Sequence, residues 1–284
     1  MKKLLNAIAV AAAMISATAV QAGPVVTQWG YNVASNWITS FTTFGPGASA
    51  GQINSNDLIS WGGPTGNHTI IGQDPSISRS AIAIESGTLV APSTGLVNTN
   101  GTVLPLGGSP IGLGSLVAHY NNTLSSSFST LKKTRLNSTL TLNPNLPSLS
   151  GALPPLTVGF GIDFIETSNS FGNCFAGSIS TCDDIFVLDL PSLSQSFLYD
   201  GNVYTVNQFT ASGTLGPLSD AACAAAGVGS GCIGIVTQEG KRNEAQFAFI
   251  ISVSPQEIPE PGSIALLGLG LLGLAAVRRR KVSK

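Results

Sequence analysis

The stretch LTVGFGIDF, residues 156–164, carries an apolar side chain at every second position. These side chains belong to Leu156, Val158, Phe160, Ile162 and Phe164. Successive side chains of a β-strand point to opposite faces of a sheet, so a period of two predicts a strand. The stretch therefore predicts a strand with one apolar face and favours a β-rich chain.

Comparable patterns lie on both sides of this stretch. Upstream, Leu136, Leu140 and Leu142 share one parity and predict a half-buried strand at residues 131–142. Downstream, the apolar run IFVL at 185–188 has no polar alternation. Such a run is suited to a strand that is covered on both faces.

Two hairpins are expected further along the chain. Asp200-Gly201 lies between two β-rich segments and is the strongest local hairpin signal in the sequence. Residues 233–237 and 245–253 predict a second hairpin around Gly240.

Helical patterns are scarce. Residues 219–226 alone predict an internal helix, of one or two turns, whereas 25–44, 58–61 and 80–90 are rich in β-forming residues. Many short strands joined by Gly-, Asn- and Ser-rich turns predict the all-β class. We expect a single antiparallel β-sandwich or jelly-roll-like domain at residues 23–254.

Residues 1–22 have the organisation of a secretory signal peptide. Lys2 and Lys3 are followed by an apolar, alanine-rich segment at 4–20 and by small residues up to Ala22. Cleavage is expected after Ala22. The Sec translocon and signal peptidase are therefore predicted partners, and the mature chain is exported.

The C-terminal segment, residues 255–284, has three parts. Pro-Glu-Pro at 259–261 predicts extended, accessible backbone. An apolar run at 264–277 precedes four consecutive bases at 278–281. As a helix, residues 262–277 would be about 24 Å long at about 1.5 Å per residue, slightly short for a membrane span. We predict a C-terminal transmembrane helix whose basic end is cytoplasmic.

These three parts, in this order, resemble the PEP-CTERM sorting signal, with the tripeptide at Pro259, Glu260 and Pro261. The resemblance implies a membrane-embedded transpeptidase, exosortase, as a partner that recognises the signal and cleaves near the tripeptide. It implies an exported protein that is held transiently at the inner membrane and then reaches the cell surface or extracellular matrix.

The body of the chain is acidic once both ends are removed. Residues 23–257 contain six Lys and Arg and 13 Asp and Glu, which gives a net charge of −7, although the whole chain reads −1. A nucleic-acid-binding domain presents a basic face. The composition therefore argues against a nucleic-acid partner.

Four cysteines agree with export. Three disulfide pairings are open, and we favour the local pairs Cys174–Cys182 and Cys223–Cys232, each of which closes a Gly/Ser-rich loop. A zinc site is disfavoured, because the cysteines that bind zinc are usually spaced as in CxxC, more closely than the cysteines of this chain.

The body carries a second set of recognisable fragments. They are Ser60-Trp61-Gly62, His119-Tyr120-Asn121-Asn122, Phe164-Ile165-Glu166-Thr167-Ser168-Asn169, Cys182-Asp183-Asp184-Ile185-Phe186, Tyr199-Asp200-Gly201 and Thr237-Gln238-Glu239. Together they resemble the THxN family of PEP-CTERM proteins, with Ala118 where that family has Thr before His119 and Asn121. This resemblance implies localisation at the surface or in the matrix of exopolysaccharide-producing bacteria, and it supplies no established enzymatic activity.

His119 and His68 are the only histidines, which is a thin basis for a catalytic zinc site with three protein ligands. We interpret His119 and Asn121 as structural residues that tie a loop by hydrogen bonds.

Acidic residues offer weaker candidates. Asp163, Glu166, Asp183 and Asp184 are possible calcium ligands, although no EF-hand or repeat-type calcium pattern is present. A glycosidase pair could be drawn from Asp163, Glu166 and Glu239, since such enzymes need two carboxyl groups about 5 to 10 Å apart. Solvated surface acids are the default interpretation.

The sequence therefore predicts a non-enzymatic, exosortase-processed protein of the cell surface or exopolysaccharide matrix, with a structural or biofilm-associated role and no cofactor. One alternative is a carbohydrate- or calcium-binding module of the matrix, with Trp29, Trp37 or Trp61 as exposed aromatic contacts. Of these, Trp61 is the one most suited to an exposed loop, because Gly62 and Gly63 follow it, although a buried core tryptophan is the commoner case. A glycan-active enzyme is the second alternative.

Overall fold

The computed structural model describes residues 22–85, 93–102, 107–149, 153, 155–167, 174, 177–179, 182–189, 193–212 and 215–254. The predicted signal peptide up to residue 21 and the predicted transmembrane helix and Pro-Glu-Pro lie outside these residues. Within the described part of the chain, no helix has the length and apolar character needed to cross a membrane. The predicted domain boundaries remain predictions.

The chain divides into two compact units. Of the described residues, the larger unit comprises those within Val26–Phe197 and Tyr204–Val253, and the smaller comprises 22–25, Leu198–Val203 and Ser254. In the smaller unit, the Gly23 N–H donates to the carbonyl of Asp200 at 2.8 Å.

The predicted hairpin turn at Asp200-Gly201 is confirmed. Asp200 and Gly201 join two consecutive strands and have φ angles of 47° and 77°. Both values lie in the left-handed region that a two-residue hairpin turn of type I′ requires.

Fifteen strands and one α-helix lie in the described residues. The strands are β1 (Gln28–Trp37), β2 (Thr43–Phe44), β3 (Ile53–Asn54), β4 (Leu58–Gly62), β5 (Arg79–Glu85), β6 (Ser93–Asn98), β7 (Gly112–Asn121), β8 (Leu131–Leu146), β9 (Leu156–Ile165), β10 (Asp184–Asp189), β11 (Ser194–Tyr199), β12 (Asn202–Ser212), β13 (Gly216–Pro217), β14 (Ile233–Thr237) and β15 (Lys241–Ser254). The helix is α1 (Asp220–Ala225), and a short 3-10 turn lies at Thr39–Phe41.

The strands form two sheets. One has the order β13-β14-β10-β9-β8-β1-β6, with β2 also paired to β8, and the other has the order β11-β12-β15-β7-β5-β4-β3. The pairings with a described register, such as those of β8 with β1 and β9, are antiparallel. The predicted all-β antiparallel sandwich is confirmed.

The core of the larger unit fills the space between the sheets. It contains Trp37, Ile59, Trp61, Ile82, Leu124, Leu131, Leu136, Ile162, Phe164, Phe186, Leu188 and Phe247. The predicted parity of β8 is confirmed, because Leu136, Leu140 and Leu142 are all buried. Burial of this apolar surface, at roughly 25 cal/mol per Å², is the main term that holds the sheets together.

Strand β10 is covered on both faces, as its continuous apolar run predicts. Phe186 and Leu188 face the core between the sheets, whereas Ile185 and Val187 pack with Ala222 of α1 on the opposite face. The helix begins with Ser219, whose hydroxyl accepts from the Ala222 N–H at 3.2 Å.

Both disulfides join neighbouring cysteines. Cys223 of α1 is bonded to Cys232, just before β14, and Cys174 is bonded to Cys182, just before β10. These are the two local pairings that the sequence favours. No free cysteine remains, since the four form these two bonds.

The predicted hairpin of residues 233–237 with 245–253 is wrong. Strand β14 pairs with β10 and β13 in one sheet, whereas β15 pairs with β7 in the other. The turn around Gly240 is therefore a crossover between the two sheets, which we call the β14–β15 crossover (residues 238–240).

Candidate functional site

Two polar side chains of the central strand β7 point into the sandwich. His119 and Asn121 have the same parity, and they are 3% and 0% exposed. His119 Nδ1 lies 2.9 Å from the Thr237 hydroxyl, and the Asn121 amide donates to the Thr237 carbonyl at 3.2 Å. Both side chains therefore connect β7 in one sheet to the end of β14 in the other.

His119 is surrounded by aromatic rings. It stacks on Trp61 at 5.9 Å between ring centroids, and Phe164 and Phe186 approach it edge-on at 5.6 and 4.8 Å. It also borders an apolar cavity of about 40 Å³ between the sheets. Burial lowers the pKa of His119 to about 3, so the imidazole is neutral at physiological pH.

The two ring nitrogens of His119 differ in their surroundings. Nδ1 lies 2.9 Å from the Thr237 hydroxyl, which is itself 3.4 Å from the Asp184 carbonyl. Nε2 is buried without a hydrogen-bond partner among the described residues. His119 thus has a structural bond on one side and an unsatisfied ring nitrogen on the other.

Three carboxylates meet beside these residues, and we call Glu166, Asp184 and Glu239 the carboxylate cluster. One carboxylate oxygen from each residue lies within 4.8 Å of the other two. Asp184 is fully buried and Glu239 is 8% exposed. Three acidic groups therefore share a small and largely buried volume.

Sheet topology explains why they meet. Glu166 directly follows β9 and Asp184 begins β10, and these antiparallel strands are paired at Ile165 and Ile185. Asp184 is in turn paired with Thr237, which places Glu239 two residues further on, in the β14–β15 crossover. The cluster thus forms where the chain crosses from one sheet to the other.

Hydrogen bonds hold the cluster in place. The Trp61 indole N–H donates to Glu166 Oε2 at 3.2 Å, and the Thr167 backbone N–H donates to Asp184 Oδ1 at 2.9 Å. The other oxygen of Asp184, Oδ2, is buried without a hydrogen-bond partner among the described residues, and so is Asn121 Oδ1. Both of these atoms are acceptors.

The pKa values of the cluster are raised. Burial is the largest cause for Asp184, and the negative charges of Glu166, Glu239 and Asp183 add to it, so its pKa lies well above the ordinary value. Burial also raises the pKa of Glu239 to about 7, although hydrogen bonding by Thr123 and Asn121 acts in the opposite direction. Every charge that acts on Asp184 is negative, so the cluster attracts protons or a cation.

The four calcium candidates from the sequence are divided by the fold. Glu166 and Asp184 belong to the cluster, whereas Asp163 forms a salt bridge with Lys133 at 3.0 Å between Oδ1 and Nζ. Asp183 accepts from the Ile179 N–H at 2.7 Å and thus supports the loop before β10.

The two histidines do not converge. His68 packs edge-on against Tyr120 at 5.4 Å, and Tyr120 has the opposite parity on β7 from His119. His119 and Asn121 bond to Thr237 at the end of β14, one through a side chain and one through backbone, so they join two strands rather than tie a loop. Their structural interpretation stays a prediction.

Sequence reasoning missed Glu239 as a partner of the calcium candidates, because it placed that residue in a hairpin turn. A signal was nevertheless present. Five of the six fragments that resemble the THxN family contribute to this region, through Trp61, His119 with Asn121, Glu166, Asp184, and Thr237 with Glu239. The sixth, Tyr199-Asp200-Gly201, includes the hairpin turn of the smaller unit.

Comparison with protein families gives one match. The model described as the PEP-CTERM protein-sorting motif matches residues 257–281, which include Pro259, Glu260 and Pro261. The predicted sorting motif is thereby confirmed, and it implies an exported protein that exosortase processes. No curated protein matches the chain significantly. The resemblance of the body to the THxN family stays a prediction.

Proposed function

We propose, from the sorting motif at residues 257–281, that this protein is a structural component of the cell surface or of an extracellular polysaccharide matrix. The Sec translocon and signal peptidase export it, the inner membrane holds it transiently, and exosortase releases it from its C-terminal segment. The β-sandwich is then the part that functions outside the cell, without catalysis. The observation that carries this proposal is the sorting motif behind a disulfide-bonded β-domain.

Oxidised cysteines support this localisation. Disulfides persist in secreted and surface proteins, whereas the reducing cytosol keeps most thiols free. Both bonds close loops next to strands β10 and β14, and all four cysteines are used. A domain that depends on these bonds is suited to a compartment outside the cytoplasm.

The environments of the candidate catalytic groups support a non-catalytic role. A general base must lie within reach of a substrate proton and have a pKa near the working pH. His119 is 3% exposed with a pKa of about 3, and Asp163 is held by Lys133. Glu166 and Glu239 share the cluster with a fully buried Asp184 rather than facing each other across an open cleft.

The three tryptophans do not support the alternative in which exposed aromatic side chains bind a carbohydrate. Trp29, Trp37 and Trp61 are all 0% exposed, so none of them offers a face to a sugar ring. Trp61 is therefore the buried core residue that the sequence left as the commoner alternative to a loop-exposed one. Gly62, which follows it, has a φ of 103°, and an added Cβ would lie 2.6 Å from the Ser78 carbonyl oxygen. The glycine is there for close backbone packing in the core rather than for a loop.

Mass spectrometry of the protein from the native host tests the proposal. We expect the matrix or surface fraction to contain chains that begin at Gly23 and end near Pro259 to Pro261. The variant Glu260→Gln should accumulate uncleaved at the inner membrane, whereas Glu244→Gln, the same change outside the sorting motif, should be processed normally. Wild-type chains that end at Lys284 and occur only in the inner membrane would refute the proposal.

A further inference from the structure

We propose that the larger unit binds one calcium ion through side-chain oxygens of Glu166, Asp184 and Glu239, together with the amide oxygen of Asn121. This inference concerns the β-domain alone and does not depend on how the chain is sorted. It rests on the geometry of the carboxylate cluster and on a buried neutral acceptor beside it.

The distances suit a calcium ion. Calcium binds oxygen ligands at about 2.3 to 2.6 Å, so two ligands on opposite sides of one ion are about 4.6 to 5.2 Å apart, and other pairs are closer. The three carboxylate oxygens lie within 4.8 Å of one another. A single ion between them can therefore contact all three without a large movement of the backbone.

Asn121 is the independent observation. It is neutral, it is 0% exposed, and its Oδ1 has no hydrogen-bond partner among the described residues. Its Nδ2 is fixed by the Thr237 carbonyl at 3.2 Å, which defines the other amide atom as oxygen. Asn121 also lowers the pKa of Glu239, which places its side chain beside the cluster. A buried acceptor without a donor is unfavourable, and a cation would relieve this.

Asp184 leads to the same conclusion. Its Oδ1 is satisfied by the Thr167 N–H, whereas Oδ2 is buried without a hydrogen-bond partner in the described part of the chain. Oδ2 of Asp184 and Oδ1 of Asn121 are both acceptors, so a further acceptor cannot satisfy them. What they share is an affinity for positive charge, which a bound cation supplies to both at once.

The ligand set selects the metal. All four donors are oxygens, three of them are carboxylates, and hard oxygen ligands in an irregular arrangement suit Ca²⁺. Zinc prefers Cys and His, and magnesium requires shorter distances of about 2.0–2.1 Å in a near-ideal octahedron. A calcium ion here would connect β7, the end of β9, the start of β10 and the β14–β15 crossover, and thus both sheets.

Calorimetric titration of CaCl₂ into the full chain, purified in detergent and stripped with EGTA, tests the site. We expect one ion per chain and a higher melting temperature in CaCl₂ than in EGTA. Glu239→Gln should weaken calcium binding at least tenfold. Asp163→Asn, which changes an acid of the same strand region that is held by Lys133, should bind calcium as the wild type does.

Asp184→Asn should change the melting temperature differently in EGTA and in CaCl₂. In EGTA this variant should melt at a higher temperature than the wild type, because a buried negative charge is removed while Oδ1 still accepts from Thr167. In CaCl₂ it should gain little or no further stability. A wild-type protein whose melting temperature is the same in EGTA and in millimolar CaCl₂ would refute the proposal, as would an equal loss of binding in Asp163→Asn and Glu239→Gln.

Terbium supplies a second measurement if a variant folds poorly. The Trp61 indole nitrogen is 3.2 Å from Glu166, so a Tb³⁺ ion at the site would lie close enough for sensitised emission from tryptophan. Calcium should quench this emission by displacing the lanthanide from the wild-type chain. If calcium does not reduce the emission, the lanthanide is bound elsewhere, which would count against the site.

Discussion

Two buried polar regions of the larger unit differ in how completely they are satisfied. Gln28 on β1 and Asn98 on β6 are 1% and 0% exposed, and they bond to each other at 2.9 Å. Gln28 also donates to the Gly107 carbonyl at 2.8 Å and accepts from Asn145, and Asn98 donates to the Thr102 carbonyl at 2.7 Å. Every amide atom of these two side chains has a partner.

The second region is the carboxylate cluster with His119 and Asn121. His119, Asn121 and Asp184 are buried to a similar degree, at 3%, 0% and 0% exposed, but Asp184 Oδ2, Asn121 Oδ1 and His119 Nε2 have no hydrogen-bond partner within the described ranges. Two of these atoms are acceptor oxygens. The comparison shows that the fold satisfies the buried amides of Gln28 and Asn98 completely, whereas the acceptor oxygens beside the three acids are left for the proposed cation.

The largest expected effect comes from breaking the satisfied region. Asn98→Ala removes the partner of Gln28 and leaves the Thr102 carbonyl without its donor. We expect a loss of about 3 kcal/mol in the free energy of unfolding, because the fully buried Asn98 side chain loses two hydrogen bonds and leaves a cavity. Urea denaturation measures this loss, which should be the same in CaCl₂ and in EGTA. A loss below about 1 kcal/mol would mean that the network relaxes by rearrangement.

A smaller effect concerns pH and His119. Its pKa falls from 6.5 to about 3 on folding, because burial disfavours the charged ring. The unfolded chain therefore binds the proton first as the pH falls, so this stabilisation is complete above pH 6.5 and is lost towards pH 3. Between pH 7 and pH 5 we expect a loss of about 2 kcal/mol.

Glu239 acts with the opposite sign. Its pKa rises from 4.5 to about 7 on folding, so its contribution is present below pH 4.5 and is lost as the pH rises through 7. Asp184 has the same sign. Urea denaturation of wild type and His119→Gln in EGTA separates these terms, because the variant keeps both acids. The stability difference between the two proteins should change by about 2 kcal/mol from pH 7 to pH 5, and a constant difference would contradict the buried, neutral His119.

The smallest effect sharpens the contrast between a paired and a clustered acid. Lys133→Ala removes the salt bridge to Asp163, whose partners are 55% and 35% exposed in their side chains. An exposed pair of this kind contributes about 0.2–1 kcal/mol and is screened by salt. We expect a loss below about 0.5 kcal/mol that disappears in high salt, measured by thermal denaturation. A larger loss would show that Asp163 depends on Lys133 for its stability, as the cluster is proposed to depend on calcium.

Many of the strands could be predicted because they follow from local patterns, whereas β6 and the central strand β7 were not. The alternation in residues 131–142, the unbroken apolar run of β10 and the Asp200-Gly201 turn all report the environment of a few neighbouring residues. The parity of β8 and the two-sided cover of β10 therefore agreed with expectation.

Partners in space could not be predicted in the same way. Residues 233–237 and 245–253 have the pattern of a hairpin, but the pattern does not encode which sheet each strand joins. At the end of β14, Thr237 bonds to His119 and to the Asp184 backbone. Strand β14 belongs to one sheet, and β15 belongs to the other. Glu239 lies in the cluster because the β14–β15 crossover places it there. The residues next to it in the sequence do not indicate this position.

The place at which the chain leaves the β-sandwich has a mechanical consequence. Strand β15 ends at Ser254, and the sorting motif begins at residue 257. This strand has 14 residues and lies between β12 and β7, in the interior of its sheet. A pull on the C-terminal anchor would therefore load two ladders of hydrogen bonds in shear, which break together, rather than peel a strand from an edge. While it is held at its C-terminus, the domain would therefore resist tension through the interior of a sheet, where the two neighbouring strands share the load.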